Sequence, residues 1–108
     1  MDKSSFMLVF GDAPLIKILD FLLTFREFDY SIAQIASETE TKWESVEKAL
    51  NILIKKGIAK KTRKSGKAQL YMLDAKAPIA KLILEIDGKI SDFFIRQELA
   101  RQKLKVAA

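Results

Sequence analysis

Between Ser31 and Leu73 the chain leaves little freedom in how it folds. Ser31-Ile-Ala-Gln34 and Thr41-Lys-Trp-Glu44 each put a Ser or Thr three residues ahead of a Gln or Glu. That is the capping-box pattern, in which two side chains satisfy otherwise orphaned N–H groups at a helix start. The two starts lie ten residues apart, so the first helix has room for about two turns and the link to the second is tight. The spacing predicts one helix over Ile32 to Glu38, with Ile32, Ile35 and Ala36 inward. A second follows over Lys42 to Lys56, with Val46, Leu50 and Leu53 inward. Lys55-Lys56-Gly57 ends it, with cations at the negative end of the helix dipole and a glycine to close the last turn. Ile58 to Arg63, the turn Lys64-Ser65-Gly66-Lys67 and Ala68 to Leu73 then read as a β-hairpin.

The flanks complete a mainly α plan with one small β-hairpin. Phe6-Met-Leu-Val-Phe10 is a short apolar run before Gly11, expected as a strand or a docked arm. Asp12 is placed to cap a helix carrying Pro14 in its first turn, where a missing N–H costs nothing. Leu15, Ile16, Leu19, Leu22 and Leu23 mark its buried face, and it should end near Arg26. From Pro78 to Val106 the pattern becomes one long helix. Ile79, Ile83, Ile86, Ile90 and Phe93 recur at gaps of 4, 3, 4 and 3, with Leu82, Phe94 and Leu99 broadening the stripe. Gly88 costs roughly 1 kcal/mol in a helix interior relative to alanine, which leaves a kink or break open at that point. A helix of about 30 residues is ~45 Å long, more than one small domain covers, so the stripe is expected to form a seam with an identical chain.

Composition narrows the chemistry. At 108 residues the chain is expected to be one domain, with residues 1–76 as its body and 77–108 as a helical dimerisation extension. Cysteine and histidine are absent, which removes disulfides, thiol chemistry, histidine acid–base catalysis and ordinary zinc sites. No Asp-rich loop suggests another metal, and no nucleophile or base cluster suggests an enzyme. No apolar stretch is long enough to span a bilayer, and Met1 to Ser5 does not begin a signal peptide, so a cytoplasmic protein is expected. The net charge of +5 is unevenly spread. Residues 1–54 carry 5 basic and 9 acidic side chains, residues 55–76 carry 8 and 1, and residues 77–108 carry 6 and 4. The positive charge sits in the hairpin and the helix before it, a field that attracts polyanions.

Helix, tight turn, helix and basic hairpin in this order resemble the winged helix-turn-helix DNA-binding domain. Thr41 to Ile58, with Ser45-Val46, Leu50, Leu53, Lys56-Gly57 and Ile58, is similar to the recognition helix and wing entry of MarR- and ArsR-like regulators. Phe10-Gly-Asp-Ala-Pro14 together with the helical tail looks like small archaeal members of that class. The resemblance implies a homodimer that binds double-stranded DNA in a sequence-specific way to regulate transcription, without a cofactor. It names no small-molecule effector. A recognition helix reads bases near its N-terminus on the side away from the core, which selects Lys42, Trp43, Ser45 and Lys48. Packing inside the domain is the alternative for Trp43. Glu44 is explained as the capping partner of Thr41, whereas Glu47 has no evident role. In the wing, Lys60, Lys61, Arg63, Lys64 and Lys67 are the expected phosphate contacts, with plain solubilising charge as the alternative. Two other functions fit the same plan: a winged-helix module that binds protein, and an architectural DNA binder without sequence preference.

Overall fold

The structure is a computed structural model and describes residues 3–107. Its elements are α1 (Ser5–Phe10), α2 (Pro14–Thr24), β1 (Tyr30–Ser31), α3 (Ile32–Thr39), α4 (Trp43–Lys55), β2 (Ala59–Ser65), β3 (Ala68–Leu73) and α5 (Pro78–Ala107). The strands form one three-stranded antiparallel sheet in the order β1-β3-β2. Mainly helical architecture, a small wing and a long final helix are as the sequence reading expects.

Two starts differ from it. The apolar run at Phe6–Phe10 is neither strand nor arm but helix α1, because Ser4 caps it: the Met7 N–H donates to Ser4 Oγ at 3.1 Å. The same hydroxyl donates to Asp20 Oδ1 at 2.7 Å, tying α1 to α2. Asp12 does not cap α2, whose N-cap is Ala13; its carboxylate is held instead by Lys3 at 3.1 Å. Pro14 does occupy the first turn, and α2 ends at Thr24, two residues before the expected Arg26.

The core forms where α2, α3 and α4 converge on the sheet. Ile18, Leu22 and Leu23 of α2 meet Ile35 of α3, Val46 and Leu50 of α4, and Leu73 of β3, all essentially without solvent contact. The inward face of α2 centres on Ile18 and Leu22, with Leu15 and Ile16 at its margin. Burying a Leu or Ile side chain contributes roughly 1.5–3 kcal/mol, and this seven-residue centre draws on four separate elements. The relative orientation of the helices is therefore held by the core.

The turn between α3 and α4 sets how α4 is presented. Ser31 and Gln34 form the expected capping box, with Gln34 N–H donating to Ser31 Oγ at 3.2 Å and Ser31 N–H to Gln34 Oε1 at 2.8 Å. The box expected at Thr41 and Glu44 is absent. Lys42 is the N-cap of α4 with no side-chain bond, and Thr41 Oγ1 donates to the Thr39 carbonyl at 3.1 Å. Thr41 is occupied in closing α3: its N–H reaches the Ala36 carbonyl at 3.0 Å while Glu40 takes the left-handed conformation at φ +52°. That is a Schellman closure. The same closure ends α4, where Ile58 N–H bonds to Leu53 O at 2.8 Å around Gly57 at φ +71°. A side chain at φ > 0 carries a steric cost that glycine avoids. Glu40→Gly should therefore raise stability by roughly 0.5–1 kcal/mol and Gly57→Ala lower it by about 1 kcal/mol. Urea midpoints that shift in these opposite directions at unchanged slope would establish both.

Helix α5 runs unbroken through Gly88 for 30 residues. Its first half docks on the body through Ala80, which is wholly buried, and through Ile83, Leu84 and Ile90, which pack on the core. The expected five-residue seam is thus divided. Ile83 and Ile90 pack on the chain's own core, while Ile79, Ile86 and Phe93, on the adjoining strip of the same helix surface, stay exposed. Residues three or four positions apart are neighbours on a helix surface, so the stripe is one apolar band of which the body covers only one edge. The helix extends well past the body, giving a particle of 58 × 29 × 21 Å.

Candidate nucleic-acid interface

Helix α4 turns Val46, Ala49, Leu50 and Leu53 into the core. Glu44, Lys48, Asn51 and Lys55, at gaps of 4, 3 and 4, share the opposite face and are exposed. Of the residues selected from sequence, Lys42 and Lys48 are exposed and Trp43 is 47% exposed, so the indole is not a core residue. Ser45 is half-buried on the flank of that face and is the least accessible of the four. Asn51 and Lys55 were not in that set. The signal for Asn51 was its place one turn beyond Lys48, visible once Ala49 is counted among the core residues. Burial pushes the Tyr71 phenol up, and the Glu47 carboxylate adds to the shift. Glu47 is exposed on α4.

The wing is a β2–β3 hairpin closed by only two residues, Gly66 and Lys67, between the paired Ser65 and Ala68. Lys64 and Ser65 belong to β2, not to the turn. Gly66 takes φ +62°, and a glycine at the first loop position is the pattern of a type II′ hairpin turn. Every residue of β2 beyond Ala59 is exposed. Among the described residues, no carboxylate forms an ion pair with Lys60, Lys61, Lys64 or Lys67. Four cations on one narrow ribbon without counter-charges create a local positive potential.

Arg63 is different. The pairing of Lys61 with Tyr71 and of Lys64 with Gln69 leaves Thr62 and Arg63 both opposite Leu70, which defines a β-bulge. Both side chains reach Asp29, the residue just before β1. Thr62 Oγ1 donates to Asp29 Oδ2 at 2.6 Å, Arg63 Nε to the same oxygen at 3.0 Å, and Arg63 Nη2 to Oδ1 at 3.3 Å. The Arg63 guanidinium, and next the Thr62 hydroxyl, hold the Asp29 carboxyl down at about 2. A carboxylate whose folded pKa is depressed stabilises the fold above its unfolded value and loses that contribution as pH falls toward the folded one. Asp29→Asn should accordingly melt below the wild type by a constant margin from about pH 5 to 8, with the margin closing between about pH 4 and 2. Melting curves of both proteins across that range test the assignment.

Arg26 is not part of this surface; its Nη1 donates to the Leu23 carbonyl at 2.9 Å and closes α2. Among the described residues no group of three or more carboxylates is placed to hold a metal ion, and no helix is long and apolar enough to cross a membrane.

No protein-family model matches the sequence, and no curated protein sequence does either. The fold does match solved structures. MepR, a transcription regulator of the Staphylococcus aureus multidrug efflux pump MepA, superposes with a TM-score of 0.66 at 13% identity, over 87% of this chain and 72% of that one. An apo-form variant of ZitR from Lactococcus lactis gives 0.60 at 24% identity, over 89% and 74%. A second ZitR variant gives 0.56 at 18% identity, over 85% and 60%, so the chain spans less than two thirds of that relative's length. These neighbours are MarR-family winged-helix transcription regulators, the class the sequence resembles. At such identities the likeness is one of fold, and the fold is a winged helix.

Proposed function

We propose that the chain is a homodimeric, sequence-specific regulator of transcription that binds double-stranded DNA and has no catalytic role. The observation that carries this reading is the pairing, on a winged-helix scaffold, of an exposed polar face on α4 with a wing whose four lysines make no ion pair among the described residues. In this reading Lys42, Trp43, Lys48 and Asn51 enter the major groove, with Ser45 at the margin. Asn pairs bidentately with adenine, Lys reaches guanine or phosphate, and an indole edge can meet a thymine methyl. Lys60, Lys61, Lys64 and Lys67 follow the phosphate backbone beside it. Glu44 on the same face repels phosphate, which suits an interface that discriminates between base sequences better than one that binds any duplex.

The dimer half of the proposal rests on apolar surface the chain leaves uncovered. Leu8, Val9 and Phe10 of α1 and Ile79, Leu82, Ile86 and Phe93 of α5 are all exposed large apolar residues. Val9, Ile86, Ile90, Phe93 and Phe94, together with Lys89, line a shallow and mainly apolar groove between the two helices. A second copy meeting this face around a two-fold axis covers it, and the overhanging end of α5 extends the same contact.

Selection of bound sequences from random duplex tests the specificity. Alanine at Lys48 or Asn51 should then cost roughly 1–3 kcal/mol on the selected site and distinctly less on random DNA. Trp43→Ala should follow the same pattern without loss of folding, since the indole lies outside the core. Equal losses on both duplexes would support the architectural reading. Absence of binding at low salt would favour a protein-binding module.

A further inference from the structure

We propose that Asp29 is a positioning residue of the DNA interface: it fixes the Arg63 guanidinium at the base of the wing so that the remaining donor edge faces a phosphate. The proposal rests on the DNA-binding reading above and adds a residue from outside both α4 and the wing. Successive residues of a regular strand point to opposite faces, so Thr62 and Arg63 would not normally share one acceptor. The bulge opposite Leu70 removes that alternation and delivers both to a single carboxylate. Asp29 stands just before β1 and its partners lie on β2, and the order β1-β3-β2 places those strands on opposite edges of the sheet. The contact therefore links the two outer strands across β3 and holds the wing against the body.

The use made of Arg63 is as informative as the contact itself. Asp29 binds only the Nε and Nη2 side of the guanidinium, at 3.0 and 3.3 Å. Among the described residues Nη1 has no partner. The arginine side chain is 71% exposed, whereas that of Asp29 is 15% exposed. A buried latch would cover both partners; here the carboxylate is tucked in and the cation is displayed. Arginine presents donors on more than one edge of a rigid plane, so one edge can be held by a carboxylate while another meets phosphate. Holding a long side chain in place before binding lowers the ordering cost paid on association.

The tests are Asp29→Ala, Arg63→Ala and the double variant, each titrated on specific and random duplex at several salt concentrations. Thermal unfolding of each checks that it folds. Arg63→Ala should weaken binding to every duplex and flatten the slope of log K against log salt by about 0.9, the loss of one phosphate contact. Asp29→Ala should weaken binding about two- to tenfold, the range for re-ordering one long side chain, with the slope unchanged. In the Arg63→Ala background, Asp29→Ala should do nothing further. Tighter binding by Asp29→Ala would make Asp29 a competitor of phosphate and overturn the proposal. An equal loss in the Arg63→Ala background would overturn it as well, by reducing Asp29 to a general fold residue. The Arg63 Nε–H resonance gives a readout without DNA: it should be protected from exchange in the wild type and lose that protection in Asp29→Ala. A wild type that shows the protected resonance yet binds no DNA would refute the DNA-binding reading and this role together, while leaving the contact as a fold device.

Discussion

Replacing Ile86 and Phe93 together with glutamate should turn a dimer into a monomer and lower affinity for a two-fold operator by about 100-fold or more. Both side chains lie on the outer face of α5, 45% and 60% exposed in the single chain, so the chain's own fold should tolerate the charges. Across a two-fold seam each glutamate would be buried against a copy of the same apolar surface, where an unpaired carboxylate is costly. The penalty on DNA binding comes from lost bivalency. Once one half of a dimer is bound, the second half engages at high effective concentration, an advantage of roughly 10²–10⁴. In the dimer the half-sites should be spaced about 10 base pairs, or a multiple of that, centre to centre. Weak wing-driven binding to any duplex should survive in the variant. Ile83→Glu is the informative control: Ile83 packs on the chain's own core and does not line the groove, so that change should reduce folding stability instead. Light scattering decides the matter, because a wild type that stays monomeric at tens of micromolar removes the dimer.

The second large effect belongs to the wing. Alanine at Lys60, Lys61, Lys64 and Lys67 together should flatten the salt slope by about 2–3 units per chain if two or three of them meet phosphate. At 0.1 M salt that is a loss of roughly 10²–10³ in affinity on specific and random duplex alike. Folding stability should move by no more than about 0.5 kcal/mol, since all four side chains are exposed and make no ion pair among the described residues. Arg63 is left out of this set on purpose, because its replacement also breaks the contact with Asp29. An unchanged slope would take the wing out of the interface and leave its charge as a solubility device.

Several of these features are legible in sequence for a local reason. The Ser31–Gln34 box, the Gly57 closure of α4 and the run of positive charge on β2 each depend on residues within a few positions of one another. Where two local solutions compete, the same reasoning fails. Thr41 and Glu44 fit the capping pattern, yet Thr41 is used to end α3 around Glu40. No glycine marks that closure, and the strain at Glu40 is offset by the core that holds α3 against α4. Likewise Phe6–Phe10 offered five apolar residues without a period, and the Ser4 hydroxyl made them a helix.

The sequence alone determined where α3 starts, where α4 stops, where the chain reverses in the wing, and that the positive charge is gathered there. Hydrogen-bond closure and side-chain periodicity act over one or two turns, so nearby residues suffice to settle them. Only the tertiary structure decided which side of α5 is covered, that Tyr30–Ser31 adds a third strand, and that Asp29 meets residues 33 and 34 positions away. Those outcomes depend on surfaces contributed by distant segments. On α5 the apolar band is wider than the strip the body covers, so the period does not say which of its residues are inside. The docking of Ala80, Ile83 and Ile90 on the core resolves it, and so leaves Ile79, Ile86 and Phe93 facing outward.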